Sequence, residues 1–299
     1  MPDSPLLFPV RLEGGGIVVL DETLLPFREE YIEVRDLDRA LWVLSSMKTR
    51  AFGQVLLFFY SCVLFRDKAV DEIASLFKRT RPTFDFDLLG DILKKQAEVH
   101  RDLSRAVGRF VSGFDALRKD RAERLAALLP PAPRILTICN VNGELIYLFE
   151  ELRSLGKPCV FYVSETRPYL QGSRLTFWEL RRNDIPSHLV CDNQAAQLMR
   201  EGLVNCVVTG SDRSTTRGAV VNKTGTYALA VLARFFGIPF YALVQYPKDI
   251  DIEGIEIEER PGSEVFMFLE DLRRDIPAVY PAFDVVPAEF VTEQVALKP

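Results

Sequence analysis

The sequence predicts an α/β protein: a Rossmann-like parallel sheet in the C-terminal part, with a smaller, mainly helical N-terminal domain. Three observations carry this. Five short apolar runs alternate with helical runs after residue 130, the signature of a parallel sheet wound by right-handed crossovers. The preceding hundred or so residues show helical periodicity instead. Between the two, Pro130, Pro131 and Pro133 punctuate the chain and mark the expected boundary, giving domains 1–129 and 130–299.

The first 35 residues form a short β-rich segment, with Gly14, Gly15 and Gly16 as the turn between VRLE and IVVLDETLLP. A helix over Asp36 to Met47 starts at a capping aspartate. Gly53 to Phe65 includes the apolar run VLLFFYSCVLF, which reads as a buried helix. Val70 to Thr80 is amphipathic and stops at Arg81-Pro82. Phe86 to Leu128 reads as two charged helices, broken near Gly108 or Gly113. Beyond the prolines, strands are expected at Arg134 to Ile138, Cys159 to Val163, Ser187 to Cys191, Val204 to Val208 and Pro239 to Val244. Helices are expected at Gly143 to Leu155, Gly172 to Arg182, Gln194 to Glu201 and Thr226 to Phe236. The tail from Ala282 to Lys298 reads as an extended segment and a final helix.

Composition narrows the function. The 299 residues are 48% hydrophobic and 26% charged, as in ordinary soluble proteins. A net charge of −5, with no long run of one sign, gives no support to a nucleic-acid or membrane role. The longest apolar run falls short of the about 20 residues a bilayer span requires. MPDSPLLFPV has neither the basic start nor the apolar core of a signal peptide, so the expected location is the cytoplasm. The five scattered cysteines suggest free thiols in a reducing compartment, and two histidines are too few for a histidine-rich metal centre. No GxGxxG follows the first strand, so a dinucleotide is not indicated.

Ligands of open α/β sheets bind at the carboxyl ends of the strands. Here those ends carry Cys139 and Asn140, then Glu165, Thr166 and Arg167, then Asp192 and Asn193, then Asp212 and Arg213, and finally Gln245. Cys139 ends an apolar strand and precedes a helix, where a thiol can be poised for chemistry. Cys62, Cys159, Cys191 and Cys206 read instead as small buried hydrophobes. Asp212 near a bound anion and partly desolvated would be a raised-pKa acid. Lys223 and the amides of the helix after Gly225 would together receive phosphate. The alternative is that Asp212 pairs with Arg213 or Arg217 and Lys223 is a solvated surface charge. Arg167-Pro168 with Gln171-Gly172 makes a turn that would put a guanidinium and an amide on the ligand side, and Arg50 and Arg81 could close over the same cleft.

These residues resemble those of the methylthioribose-1-phosphate isomerase family. The resemblance lies in TRPYLQGSRLTFWEL at Thr166 to Leu180, GSDRSTTRGAVVNKTGTYALAVLA at Gly210 to Ala233 and IPFY at Ile238 to Tyr241. It also includes LDETLLP at Leu20 to Pro26, RPT at Arg81 to Thr83 and FDVVPAEFVT near the end. The wider superfamily holds ribose-1,5-bisphosphate isomerase and the regulatory subunits of initiation factor 2B. The resemblance implies a metal- and cofactor-free aldose–ketose isomerisation of a 5-substituted ribose 1-phosphate, in a homodimer. Asp212 matches the acid and Cys139 the thiol that supports hydrogen transfer. Arg50 with Ala51 beside it, Arg81, Gln171, Asn222 and Lys223 match positions that hold the sugar phosphate, and Arg167 adjoins them. A non-catalytic regulatory protein that binds a sugar phosphate or nucleotide is the alternative. The chain departs from the isomerase pattern in three places. Arg50 is followed by Ala51, Phe52, Gly53 and Gln54 rather than by GAPAIG, Asn140 to Glu144 runs almost directly into a helix, and GAVVNK replaces GDxANK. Phe52 is expected to put bulk near the cleft.

Overall fold

The computed structural model describes residues 4–82, 84–245, 257–269 and 276–298. Its contacts divide the chain into two compact units, one spanning Ser4–Ala116 and one that begins at Leu117.

In the first unit β1 (Val10–Glu13), β2 (Gly16–Leu20) and β3 (Tyr31–Val34) form an antiparallel sheet in that order. Gly14 and Gly15 make the hairpin turn at φ +58° and +77°, a conformation glycine takes without strain. The Asp36 carboxylate caps α1 (Leu37–Ser45), accepting from Arg39 N at 2.7 Å. α2 (Phe52–Leu64) is buried along most of its length. α3 (Val70–Thr80) and α4 (Phe86–His100) pack their aromatic rings against it. The Phe58, Phe77 and Phe86 centroids lie 5.2–5.4 Å apart. The expected helix break is not at a glycine. α4 ends at Arg101 in the left-handed region, and Asp102 caps α5 (Leu103–Leu128), accepting from Arg105 N at 2.8 Å. Gly108 and Gly113 lie inside α5, with open space around them. A stop residue followed by a cap outweighs the roughly 1 kcal/mol that a helical glycine costs.

The second unit starts inside α5, ahead of the proline run. Arg118 and Arg121 are fully buried there. Arg121 pairs with Glu144 and donates to the Val244 carbonyl at 2.5 Å. The sheet comprises β4 (Arg134–Thr137), β5 (Val160–Ser164), β6 (Ser187–Val190), β7 (Cys206–Thr209), β10 (Phe240–Val244) and β12 (Glu293–Ala296). Its spatial order is β12-β10-β7-β4-β5-β6, and every neighbouring pair is parallel. α6 (Glu144–Ser154), α7 (Trp178–Arg182, continuing a π-helical turn from Gly172), α8 (Ala195–Arg200) and α9 (Thr226–Phe235) are the connecting helices. Leu136, Val207, Leu229, Ala233 and Phe240 share one apolar core.

Two parts of the unit differ from expectation. The final helix is instead β12, because residues 293–296 complete the sheet beside β10 and bury Val295. The polar loop after Asp212 contains β8 (Arg213–Ser214) and β9 (Val220–Lys223). With β11 (Phe283–Val286) these make a second, antiparallel sheet. No described helix is long and apolar enough to cross a membrane.

Candidate active site

The strand order fixes where a ligand can enter. β4 is the first strand of the sheet and β7 the fourth, and they lie side by side, with Leu136 opposite Val207. From β4 the chain winds outward through β5 and β6, and from β7 through β10 and β12. The chain leaving β4 and the chain leaving β7 therefore wind toward opposite edges of the sheet, opening the crevice that a doubly wound sheet offers to ligands. Cys139 follows β4, and Gly210 to Asp212 follow β7. A Cβ on Gly210 would come within 2.8 Å of Val141 Cγ1, so the two loops approach closely because residue 210 is glycine. The Thr137 and Thr209 hydroxyls end these strands, buried and without a hydrogen bond among the described residues.

The loop after β4 is held in an uncommon backbone conformation. Cys139 has φ +67°, Asn142 +46°, and in the next loop Thr166 has +67° and Leu170 +58°. Positive φ at non-glycine residues costs energy and collects at functional sites. Side chains enforce it here. Cys139 N donates to Thr166 Oγ1 at 2.9 Å, and Thr176 Oγ1 donates to the Cys139 carbonyl at 2.7 Å. Asp192, after β6, accepts from Thr166 N at 2.8 Å, from Arg167 N at 2.7 Å and from the Ser164 hydroxyl. A Cβ on Gly172 would lie 1.7 Å from the Ser164 carbonyl oxygen, so the π-helical turn can seat on β5 only with glycine. Cys139 is half-buried.

Lys223 and Asn222 end β9 and are both buried. Lys223 Nζ sits 4.6 Å from the Phe283 ring centroid and 6.0 Å from those of Tyr169 and Tyr280. Among the described residues it makes no salt bridge, so it is a buried cation and not the solvated charge of the alternative reading. Asn222 Nδ2 donates to Thr226 Oγ1 at 3.0 Å. Tyr169 Oη donates to Glu264 at 2.5 Å and accepts from Arg260 at 3.1 Å. The Gln171 Oε1 is buried and accepts no hydrogen bond from described residues.

Several expectations change. Asp212 is exposed, not buried, while its N–H pairs with the Val221 carbonyl at 2.9 Å. A carboxylate stands at the N-terminus of α9 where phosphate was expected: Asp284 accepts from Gly225 N at 2.6 Å and Tyr227 N at 3.1 Å. The Arg167 guanidinium donates to the Val265 and Met267 carbonyls at 2.6 and 2.9 Å, which ties its loop to the segment 262–267. Of the other cysteines, Cys62, Cys159 and Cys206 are buried, and burial pushes the first two thiols up to about 12. Cys191 is exposed, against expectation, because it leads the turn that follows β6.

In the first unit the turn Thr49–Gly53 carries Arg50 and Ala51. Ala51 has φ +42°, and a Cβ on Gly53 would meet Thr49 Oγ1 at 1.8 Å. Glu22 holds this turn, accepting from Thr49 Oγ1 at 2.6 Å and Arg50 N at 3.1 Å. Burial pushes the Glu22 carboxyl up to about 7, against the opposing pull of Thr49 and Arg50. Phe52 does not reach outward. It stacks on Phe114 at 4.4 Å within the unit's core. Arg81 follows α3, with Nη1 against Met47 Sδ. Thr83 lies outside the described residues.

Sequence reasoning missed Glu22, Tyr169, Glu264, Tyr280 and Asp284 as site-shaping residues. Signals existed for three of them: Glu22 lies in LDETLLP, Tyr169 in TRPYLQG and Asp284 in FDVVPAEFVT.

The fold and this crevice define a Rossmann-like α/β protein with the strand order 3-2-1-4-5-6 and a polar switch-point site. Residues 88–296 match the model of the initiation factor 2 subunit family. A methylthioribose-1-phosphate isomerase of Petrotoga mobilis is 33% identical over 332 aligned positions, covering 96% of this chain and 94% of the relative. The same-named protein of Anaeromyxobacter sp. is 32% identical, covering 98% and 93%. Among solved structures, 5-methylthioribose 1-phosphate isomerase from Pyrococcus horikoshii superposes with a TM-score of 0.81 at 27% identity, covering 98% of this chain and 93% of that one. The delta subunit of translation initiation factor eIF-2B from A. fulgidus gives 0.80 at 27% identity, covering 96% and 93%. The chain belongs to the initiation factor 2 subunit family and, within it, to the methylthioribose-1-phosphate isomerase family.

Proposed function

We propose that this protein is an aldose–ketose isomerase of a 5-substituted ribose 1-phosphate, with 5-methylthioribose 1-phosphate as the first substrate to test. The observation that carries the reading is Cys139, half-buried at the switch point in a strained loop held by Thr166 and Thr176. In the reaction, Asp212 gives a proton to the ring oxygen, and the ring opens at C1. A hydrogen moves from C2 to C1 with Cys139 assisting, and the C2 hydroxyl loses its proton to become the ketone. The electron pair that C2 gives up on becoming a ketone reduces C1, and one proton enters as one leaves, so no external oxidant is needed. Lys223, Asn222 and Gln171 hold the sugar phosphate, and Arg50, Ala51 and Arg81 match further phosphate-holding positions of the isomerases. Arg167 acts by positioning the loop that bears Gln171. The exposed Asp212 serves as the acid once substrate covers it. The working form is a homodimer in the cytoplasm without a cofactor.

A second reading has its own support. The eIF-2B subunit from A. fulgidus superposes as well as the isomerase from P. horikoshii does. A regulatory protein that binds a sugar phosphate or nucleotide without turning it over would keep this fold. Proton NMR of the purified protein with 5-methylthioribose 1-phosphate, 5-deoxyribose 1-phosphate and ribose 1,5-bisphosphate separates the two. Loss of the anomeric proton and growth of ketose C1 signals is the expected result. Binding without conversion of any of the three would overturn the isomerase in favour of the regulatory protein.

A further inference from the structure

The Tyr280 side chain is 6% exposed, and its hydroxyl makes no hydrogen bond among the described residues. A buried phenol normally finds a partner, so one left without calls for a reason. Its surroundings supply one. The Tyr280 centroid lies 6.0 Å from Lys223 Nζ and 6.3 Å from the Tyr169 ring. Backbone bonds fix the residue in place: Arg260 N donates to the Tyr280 carbonyl at 3.0 Å, and the Thr224 hydroxyl donates to the carbonyl of Pro281. Tyr169, by contrast, has its hydroxyl occupied by Glu264 and Arg260. Of the two tyrosines facing Lys223, only Tyr280 therefore keeps a donor to offer. Burial, with Tyr169, Glu264 and Cys139 close by, pushes its phenol up, so it stays protonated and able to donate at neutral pH.

Taking the sugar-phosphate reading of the site as its basis, we propose that the Tyr280 hydroxyl is a further ligand-binding group, donating a hydrogen bond to an oxygen of the anionic sugar that Lys223 attracts. The orphaned hydroxyl and the buried cation are then two halves of one anion-binding arrangement, enclosed by Tyr169, Tyr280 and Phe283. Without ligand, each is a cost to the folded chain.

Tyr280→Phe tests this, because function and stability should move in opposite directions. Calorimetric titration with ribose 1-phosphate should show binding weakened roughly tenfold to hundredfold, the loss of one hydrogen bond to a charged group. The melting temperature of the ligand-free protein should rise, since the unpaired buried hydroxyl is gone. Unchanged affinity would overturn the proposal, whatever the melting temperature does. A fall in melting temperature would overturn it too, by showing that the hydroxyl already has a partner within the fold. The isomerase reading is scored separately, by turnover of the wild-type protein: binding without turnover refutes the isomerase and leaves the Tyr280 comparison intact. A wild-type protein that binds no ribose 1-phosphate overturns both.

Discussion

Replacing Glu22 with glutamine should stabilise the protein above neutral pH and leave it nearly unchanged in mild acid. Glu22 is 3% exposed, with Oε1 bonded to Thr49 and Arg50 and Oε2 buried without a hydrogen-bond partner among the described residues. Its carboxyl rises from 4.5 to about 7 in the fold. A carboxyl raised by folding contributes stability that is fully present below pH 4.5 and is lost as pH rises through about 7. The interval corresponds to roughly 3 kcal/mol, at about 1.4 kcal/mol per pH unit. The charges nearest this group are Arg50, which favours the carboxylate, and Asp21, which opposes it and is itself paired with Lys48 at 2.9 Å. Glutamine keeps the acceptor for Thr49 and Arg50 and removes the buried charge. Urea unfolding followed by Trp42 fluorescence, in a Trp178→Phe background, reports on the unit that holds Glu22. At pH 8.5 the Glu22→Gln protein should be about 2–3 kcal/mol more stable than its parent, and at pH 5 within about 1 kcal/mol of it. Equal differences at the two pH values would refute a raised Glu22, and a loss at pH 8.5 would show that the carboxylate itself is needed to hold the Thr49–Arg50 turn.

Cys139→Ser and Asp212→Asn should each lower kcat by roughly a hundredfold or more while ligand binding persists, as removal of an acid–base group does. Steady-state turnover beside calorimetric binding reads this, and undiminished turnover in either variant would remove that residue from the mechanism. Gly172→Ala should cost more than about 3 kcal/mol, since its Cβ would fall 1.7 Å from the Ser164 carbonyl oxygen. A melting temperature within a degree or two of the parent would show that the β5 loop can shift instead. Tyr169→Phe breaks two hydrogen bonds to a charged pair and should lower stability by about 1–3 kcal/mol, opposite in sign to Tyr280→Phe. Thermal melts of the two variants side by side check the contrast.

The sequence by itself determined the parallel sheet, because each of β4, β5, β7 and β10 is a short apolar run bounded by turn residues, and such runs can only be buried. It also determined which polar residues stand at the strand ends, since a strand that stops must stop somewhere along the chain. The second antiparallel sheet was not legible. β9 pairs with β11, and residues 220–223 carry no local mark of a partner at 283–286. Nor did four residues at the C-terminus show that they would add β12 to an open edge, because that depends on where β10 lies. The site followed the same division. Cys139, Asp212 and Lys223 could be named from their positions along the chain. That Lys223 is buried among aromatic rings, that Asp284 caps α9 and that Asp212 lies exposed depended on contacts between residues far apart in sequence. Strand propensity and turn chemistry are properties of neighbours along the chain; burial, and with it the strength of every charge in the site, is set only when distant segments meet and exclude water.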